Sequence, residues 1–305
     1  MQIIFVHFSV FAHLWLIKVI GQKLEVIRLK LYNGVDIPLR GLGAKEIYNK
    51  EEFDREYAFY MYSIEKGCNF FDTSAAYGRN DEALGQAIYD SGKRNRIKLM
   101  TKISNLQQKS DNIRRECEAH LKYLKTDYVD YYLIHWPQPG TFIKAYLELE
   151  KIYEDGLAKA IGVSNFNIHH LKELAICTNI KPMINQFEIT PQLTQDALVN
   201  YCKALDIMPI AYSALGEMSD NLHYAEPIRM LAKKYNKTTA QIILKWNEQL
   251  GRPALTTTRN KEHFKESFLS NNGYELEEKE IYWINSINDN IRVRFNPDTV
   301  DYSIN

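Results

Sequence analysis

Short apolar runs alternate with longer amphipathic segments along most of this chain. Eight apolar runs have the length and bounding residues of strands, and they span residues 37–43, 68–72, 97–102, 128–135, 158–164, 182–188, 207–213 and 253–257. Four other segments place apolar side chains three and four positions apart, as helices do, and these cover residues 54–67, 111–125, 142–156 and 238–250. The alternation predicts an α/β protein with a parallel sheet covered by helices.

Two architectures contain such a sheet. Eight strands are the number that closes a (β/α)8 barrel. A doubly wound open sheet is the alternative, and it would need a G-x-G-x-x-G turn after its first strand. The chain has only Gly41-Leu42-Gly43 at that position, so the barrel is preferred. Ahead of the first strand, Asn33-Gly34 lies between two short runs, which predicts a β-hairpin over residues 30–38.

Residues 1–22 form an apolar arm of the length of a signal peptide or a marginal membrane segment. The arm has no basic region at its start, and its apolar run contains His7, His13 and Lys18. Several explanations of the arm therefore stay open: it could direct secretion, anchor the protein to a membrane, result from an incorrectly assigned upstream start codon, or be an appended apolar arm. Residues 23–305 contain no linker, low-complexity tract or short repeat, which predicts a single domain.

Charge and cysteine content narrow the classes of partner. The 305 residues include 38 Lys and Arg and 38 Asp and Glu, so the formal net charge is 0. Nucleic-acid and acidic-membrane surfaces need a basic excess, and the balance argues against both. The four cysteines are far apart, and no pair has zinc or redox-motif spacing. Reduced thiols suit a reducing compartment and predict a cytoplasmic protein.

Polar side chains follow several predicted strands at their C-terminal ends, where a barrel places its chemistry. Asp72 and Tyr77 follow the second strand, Lys102 the third and His135 the fourth. The later strands end in Ser164, Asn165, Asn185, Gln186, Tyr212 and Ser213. Because all eight strand ends meet at one mouth, we expect the first four residues to become neighbours.

Asp72, Tyr77, Lys102 and His135 together suit the reduction of a carbonyl group. A phenol is a weak acid with a pKa of about 10, and a neighbouring ammonium lowers that pKa. A carboxylate can hold the ammonium in place, and an imidazole can orient a bound carbonyl oxygen. The set would deliver a proton to a developing alkoxide. Because no side chain supplies a hydride, the reaction requires a nicotinamide cofactor.

The chain also contains the segments FDTSAAY, MTK, LIHWP, IGVSNFN, NQFE, AYSALG and TTTRNKEHFKES. In this order they resemble the aldo-keto reductase superfamily, especially the branches of aldose and xylose reductases, prostaglandin F synthases and diketogluconate reductases. The resemblance covers residues 25–298. It implies a (β/α)8 TIM barrel whose bottom is closed by the N-terminal hairpin and whose C-terminal face binds the cofactor. It further implies a monomer that acts on a small carbonyl compound without a metal ion.

The resemblance implies a role for each matching residue. Tyr77 would donate the proton, tuned by Asp72 and Lys102, while His135 would orient the carbonyl. At the nicotinamide, Ser164, Asn165 and Gln186 would bond the carboxamide and Tyr212 would stack on the ring. The other implied cofactor contacts are Gly43 and Ala44 beside the cofactor, Ser213, Leu215 and Gly216 at the pyrophosphate, Thr258 and Arg259 at the 2′-phosphate, and His263, Glu266 and Ser267 near the adenine. Trp136 and Phe295 are candidate aromatic walls of the substrate site.

The implied 2′-phosphate site departs from the pattern of many relatives. This chain has Thr256-Thr257-Thr258 where they have Pro-Lys-Ser, and His263 where they have Arg. Both differences remove positive charge. Arg259 can still bind a phosphate in bidentate fashion, so NADPH/NADP+ is expected in preference to NADH.

Two other classes of function stay open. One is a nicotinamide-binding subunit that senses redox state for a partner and has little turnover. The other is a metal-dependent lyase or hydrolase on the same barrel, but the predicted strand ends lack a convincing cluster of His and carboxylate ligands.

Overall fold

Ten strands make up the sheets of the computed structural model, which describes residues 28–269 and 273–302. They are β1 (Arg28–Lys30), β2 (Asp36–Pro38), β3 (Arg40–Gly43), β4 (Phe70–Asp72), β5 (Lys98–Ile103), β6 (Tyr131–Ile134), β7 (Ile161–Ser164), β8 (Ile184–Glu188), β9 (Met208–Tyr212) and β10 (Ala254–Thr256). Strands β3 to β10 pair in parallel, and β10 pairs with both β9 and β3 to close the ring. The predicted barrel is therefore confirmed over the open sheet. The apolar arm predicted at residues 1–22 lies outside the described residues.

The antiparallel hairpin of β1 and β2 covers the N-terminal end of the barrel, as predicted. Gly34 in its loop has a φ of +87°, a left-handed conformation that glycine adopts without steric penalty. Hydrogen bonds attach the hairpin to the rest of the barrel. The hydroxyl of Tyr32 donates to the carbonyl oxygen of Lys181 at 2.7 Å, and the hydroxyl of Tyr131 donates to the carbonyl oxygen of Asp36 at 2.6 Å.

Helices lie between the strands and cover the outside of the barrel. They are α1 (Lys50–Glu65), α2 (Asn80–Ser91), α3 (Asn105–Gln108), α4 (Ile113–Tyr123), α5 (Phe142–Glu154), α6 (Ile168–Cys177), α7 (Asp196–Ala204), α8 (Asp220–His223), α9 (Glu226–Tyr235), α10 (Thr239–Gln249), α11 (Lys261–Phe264) and α12 (Glu278–Asn285). Single 3-10 turns form at Arg94–Arg96 and Gly216–Met218, and a π-helical turn at Lys265–Leu269. The four helices predicted from apolar spacing are α1, α4, α5 and α10.

The barrel strands are buried on both faces. Every residue of β6, β7 and β8 is buried, because the barrel interior lies on one side and the helices on the other. This explains why the strands read as apolar runs rather than as alternating patterns. Outside the barrel, α2 approaches α4 so closely at Gly85 that a Cβ atom there would lie 2.3 Å from the carbonyl oxygen of Tyr123.

All four cysteines lie in the described part of the chain, and all are free thiols, three of them buried. The same part contains no helix with both the length and the apolar content needed to cross a bilayer.

Candidate active site

A buried ion pair lies at the C-terminal ends of β4 and β5. Nζ of Lys102 lies 2.6 Å from Oδ1 of Asp72, with the two side chains only 1% and 7% exposed. The ammonium also donates to the carbonyl oxygen of Thr73 at 3.0 Å. Removing one partner of such a pair would leave an uncompensated charge in the interior, so each side chain holds the other in place.

Tyr77 and His135 complete a compact cluster around this pair. Nζ of Lys102 lies 5.8 Å from the centroid of the Tyr77 ring, and the His135 ring meets the Tyr77 ring edge-on with centroids 5.7 Å apart. Tyr77 comes from the loop between β4 and α2, and His135 directly follows β6. Both are half-buried at the mouth. The structure thus brings together the four residues predicted to be catalytic.

The electrostatic setting of Tyr77 differs from our expectation that Lys102 would lower its pKa. The pKa of Tyr77 is instead raised, first by burial of the phenol and then by the Asp72 carboxylate. The positive charge that lowers it belongs to Arg294. Lys102, whose ammonium pairs with Asp72 at 2.6 Å, is not among the charges that shift this pKa. Tyr77 therefore stays protonated at neutral pH.

His135 is held as a neutral imidazole. Burial and the Lys102 charge lower its pKa from 6.5 to about 3. Oγ of Ser74 lies 3.1 Å from Nδ1 of His135 and accepts the N–H of Ala76 at 3.2 Å. This favours the Ser74 hydroxyl donating to Nδ1, which leaves the ring proton on Nε2. Ser74 was not singled out from the sequence, although it lies two residues after Asp72 in FDTSAAY.

The residues predicted to bind the nicotinamide carboxamide share a hydrogen-bond network with this cluster. Asn165 has a left-handed φ of +65°, and its Nδ2 donates to the carbonyl oxygen of His135 at 3.0 Å and to Oγ of Ser164 at 3.1 Å. Its Oδ1 accepts the hydroxyl of Tyr212 at 2.6 Å. Gln186 is buried within β8, where its Nε2 donates to Oδ1 of Asp72 at 3.1 Å.

A backbone-lined turn follows β9 at the predicted pyrophosphate contacts. Leu215 has near-helical dihedrals (φ −94°, ψ 11°) and Gly216 a left-handed φ of +58°. The N–H of Gly216 donates to the carbonyl oxygen of Ser213 at 2.8 Å, which closes the turn. At the neighbouring rim, a Cβ at Gly43 would lie 2.7 Å from Oγ1 of Thr257, so a larger residue there would require the Thr257 side chain to move.

The C-terminal segment crosses the mouth and is fixed by a buried carboxylate. Glu188, fully buried at the end of β8, accepts the backbone N–H of Val293 at 2.7 Å and of Arg294 at 3.0 Å. The Arg294 side chain donates to Oγ of Ser213 at 3.2 Å and pairs with Glu217 at 2.5 Å. Neither Glu188 nor Arg294 was predicted as a site residue. The position of Glu188, at the end of the NQFE segment and of a predicted strand, could have indicated that it lies at the barrel mouth.

The predicted substrate walls differ in exposure. Phe295, on the crossing segment, is 64% exposed, whereas Trp136 is buried against the His135 ring, with centroids 6.3 Å apart. Phe295 is therefore the more accessible of the two rings.

The predicted adenosine contacts lie after β10 and only partly face outward. Thr258 is half-buried, while His263 is exposed on α11. The guanidinium of Arg259 is turned toward α1, where it forms an ion pair with Glu56. Glu266 and Ser267 lie in the π-helical turn and accept through their carbonyl oxygens from Gln241 and Arg40, respectively. The charge of Arg259, predicted to serve the 2′-phosphate, is thus already balanced.

Residues 28–269 and 273–302 contain one group of three side chains whose ligand atoms could meet at a metal ion, namely His169, His170 and Asp298. Nδ1 of His170 accepts the N–H of Asn167 at 3.1 Å, so the ring proton lies on Nε2, the atom facing Asp298. A protonated ring nitrogen cannot ligate a metal, and we interpret the group as a hydrogen-bonding contact between α6 and the C-terminal segment.

Comparison with known proteins extends these observations. The model of the Aldo/keto reductase family matches residues 41–289. Glyoxal reductase of Bacillus subtilis (strain 168) is 38% identical over 274 residues, covering 88% of this chain and 96% of that protein. The 9,11-endoperoxide prostaglandin H2 reductase of Trypanosoma cruzi (strain CL Brener) is 33% identical over 270 residues, covering 88% and 94%.

Solved structures show the same similarity. An aldo-keto reductase enzyme from a Medee basin deep-sea metagenome library matches with a TM-score of 0.84 at 33% identity, covering 90% of this chain and 100% of that chain. A Bombyx mori aldo-keto reductase in complex with NADP matches with a TM-score of 0.80 at 29% identity, covering 90% and 97%. The resemblance predicted from the motifs is confirmed across the barrel.

Proposed function

The chain belongs to the aldo/keto reductase family, and from this membership we propose that it reduces a small aldehyde or ketone to the alcohol with NADPH. The observation that carries the proposal is the contact of Tyr77, His135 and the Asp72–Lys102 pair at one barrel mouth. Such a cluster can deliver a proton to a carbonyl oxygen.

The cofactor would lie across the mouth. The turn at Leu215 and Gly216 would face its pyrophosphate, and Asn165 and Tyr212 would face its nicotinamide. When bound, the reduced nicotinamide supplies the hydride that adds to the carbonyl carbon.

Proton delivery would come from Tyr77. As the carbonyl oxygen gains negative charge, the Tyr77 O–H bond breaks and the proton bonds to that oxygen, so the carbonyl becomes a hydroxyl and Tyr77 a phenolate. The Arg294 charge, which lowers the pKa of Tyr77, would stabilise that phenolate. Nε2–H of neutral His135 would donate to the carbonyl oxygen and orient it toward the phenol. The Asp72–Lys102 pair would hold the geometry of the cluster.

The test is Tyr77→Phe, which keeps the ring and removes the proton. We expect kcat to fall by about 10²–10⁴-fold, the usual contribution of a general acid, when NADPH oxidation is followed with a panel of aldehydes and ketones. NADPH binding, measured by quenching of protein fluorescence, should stay within about threefold of the unchanged protein, since Tyr77 is assigned to substrate chemistry.

Tyr89→Phe is the matched control, because Tyr89 is an exposed phenol on α2 far from the cluster. It should leave both measurements unchanged. Turnover by Tyr77→Phe within about tenfold of the unchanged protein would refute the proton-donor role. Tight NADPH binding with no turnover of any carbonyl by the unchanged protein would instead favour a redox-sensing subunit.

A further inference from the structure

Glu56 is an unusual residue for the inner face of a surface helix. It lies on α1 among Phe59, Tyr60 and Ile64, and it is only 3% exposed. A carboxylate in such a position is costly unless a positive group neutralises it. The residue that does so, Arg259, comes from the loop after β10.

Arg259 is held in this inward position by more than one contact. Its guanidinium pairs with the Glu56 carboxylate and packs near the rings of Phe59 and Tyr60, at 5.6 Å and 5.7 Å from their centroids. Its Nη1 donates to the carbonyl oxygen of Thr258 at 2.7 Å. Turning the guanidinium outward to a phosphate would leave Glu56 buried and unpaired, which opposes the movement.

The other cations of the same segment are also engaged. Nζ of Lys261 lies 4.8 Å from the centroid of the Tyr62 ring, and Lys265 pairs with Glu262 at 2.8 Å. His263 is exposed on α11. A phosphate approaching Thr258 therefore meets hydroxyl groups, an arginine that is already paired with Glu56, and the Lys261 ammonium held against the Tyr62 ring.

We propose that Glu56 sets the cofactor preference of this chain, because it withdraws Arg259 from the 2′-phosphate and so lets NADH serve nearly as well as NADPH. The inference rests on the proposed reductase function, which places the adenosine end of the cofactor at Thr258 and Arg259. NADPH and NADH differ only by the 2′-phosphate, so the charge available at this point decides between them.

The central test is Glu56→Gln, which keeps the size of the side chain and removes its charge. We expect the unchanged protein to have NADPH and NADH values of kcat/KM within about tenfold of each other. The variant should raise the NADPH-to-NADH ratio by at least about tenfold, the lower end of what a charge-assisted hydrogen bond contributes. The change should lie in KM for NADPH, with kcat unaltered.

A second measurement separates this proposal from the reductase activity itself. Calorimetric titration with 2′,5′-ADP and with 5′-AMP compares binding of the adenosine end with and without the 2′-phosphate. The ratio of the two affinities should rise in Glu56→Gln as the kinetic ratio does. If the protein binds these nucleotides but reduces no carbonyl, the proposed function fails while this titration still decides the role of Glu56.

Two further variants identify the cause. The double variant E56Q/R259M removes both charges, avoids an unpaired buried charge, and should return the ratio to that of the unchanged protein. Glu150→Gln is the matched control. Glu150 is also a buried carboxylate on a helix, but it lies on α5 and accepts the backbone N–H groups of Asn179 and Ile180 rather than an arginine. It should leave the ratio unchanged.

Three results would overturn the proposal. The first is an unchanged protein that prefers NADPH, or 2′,5′-ADP, by more than about a hundredfold, as a free guanidinium at the phosphate could produce. This result is obtained with the unchanged protein, so it does not depend on whether a variant folds. The second is an unaltered ratio in Glu56→Gln. The third is a raised ratio that persists in the double variant, since Arg259 would then not be the group that Glu56 withholds.

Discussion

Asp81 provides a quantitative test of the electrostatics beneath the active site. It lies in the first turn of α2 and is only 4% exposed. The hydroxyl of Thr73 donates to its Oδ1 at 2.7 Å, while its Oδ2 has no hydrogen-bond partner among the described residues. Burial raises the pKa of Asp81 from 3.8 to about 6, against the opposing effects of the Thr73 hydrogen bond and the Lys102 charge.

The sign of the effect on stability follows from the raised pKa. The folded protein keeps the proton at pH values where the unfolded chain has lost it, so the contribution of Asp81 to stability is full below pH 3.8 and is lost as pH rises through about 6. The pKa difference corresponds to about 3 kcal/mol in total, of which about 1.4 kcal/mol is lost between pH 5 and pH 8.

Asp81→Asn should therefore stabilise the protein at high pH. Asparagine is neutral, can still accept from Thr73, and leaves an amide nitrogen unpaired at a cost of about 1 kcal/mol. We expect a gain of about 2 kcal/mol at pH 8 and well under 1 kcal/mol at pH 5. Urea unfolding followed by circular dichroism measures the free energy of unfolding of both proteins at both pH values. Groups that titrate in both proteins cancel when the variant is compared with the unchanged protein.

Asp130 is the matched control with the opposite expected sign. It too is a buried carboxylate, but it accepts hydrogen bonds from Arg94 at 3.1 Å, Lys98 at 3.2 Å and the N–H of Leu99 at 3.0 Å. Asp130→Asn should destabilise the protein at pH 8 by about 3 kcal/mol, because it breaks a buried pair. An Asp81→Asn difference that is the same at pH 5 and pH 8, or that favours aspartate at pH 8, would refute the reasoning.

Two further predictions concern the rate and the C-terminal segment. Since burial raises the pKa of Tyr77 and lowers that of His135 to about 3, kcat/KM for carbonyl reduction should be flat between about pH 6 and 9, and a titration limb in that range would contradict these protonation states. Glu188→Gln can accept only one of the two N–H groups of Val293 and Arg294, so trypsin cleavage after Arg294 should accelerate by at least about tenfold while circular dichroism stays unchanged. Unaltered cleavage would mean that other contacts hold the segment.

Much of the fold was predictable because the relevant information is local. Strand and helix patterns depend on spacing within a few residues, and Gly67 and Gly156 follow α1 and α5 with left-handed φ values, which is typical of glycines at helix C-termini. The cluster of Asp72, Tyr77, Lys102 and His135 was also predictable. Parallel strands carry their C-terminal ends to one rim, so residues that end successive strands must become neighbours.

The sequence by itself thus determined the barrel, the family and which four residues form the cluster at the barrel mouth. Only the tertiary structure decided how the charges are distributed around it. It paired Lys102 with Asp72 so that burial governs the pKa of Tyr77, turned Arg259 to Glu56, and fixed the C-terminal segment on Glu188. These partners lie on different elements of the chain, and no local pattern encodes them. Burial and the choice of ionic partner depend on which side chains packing brings together, and that is settled only when the barrel has closed.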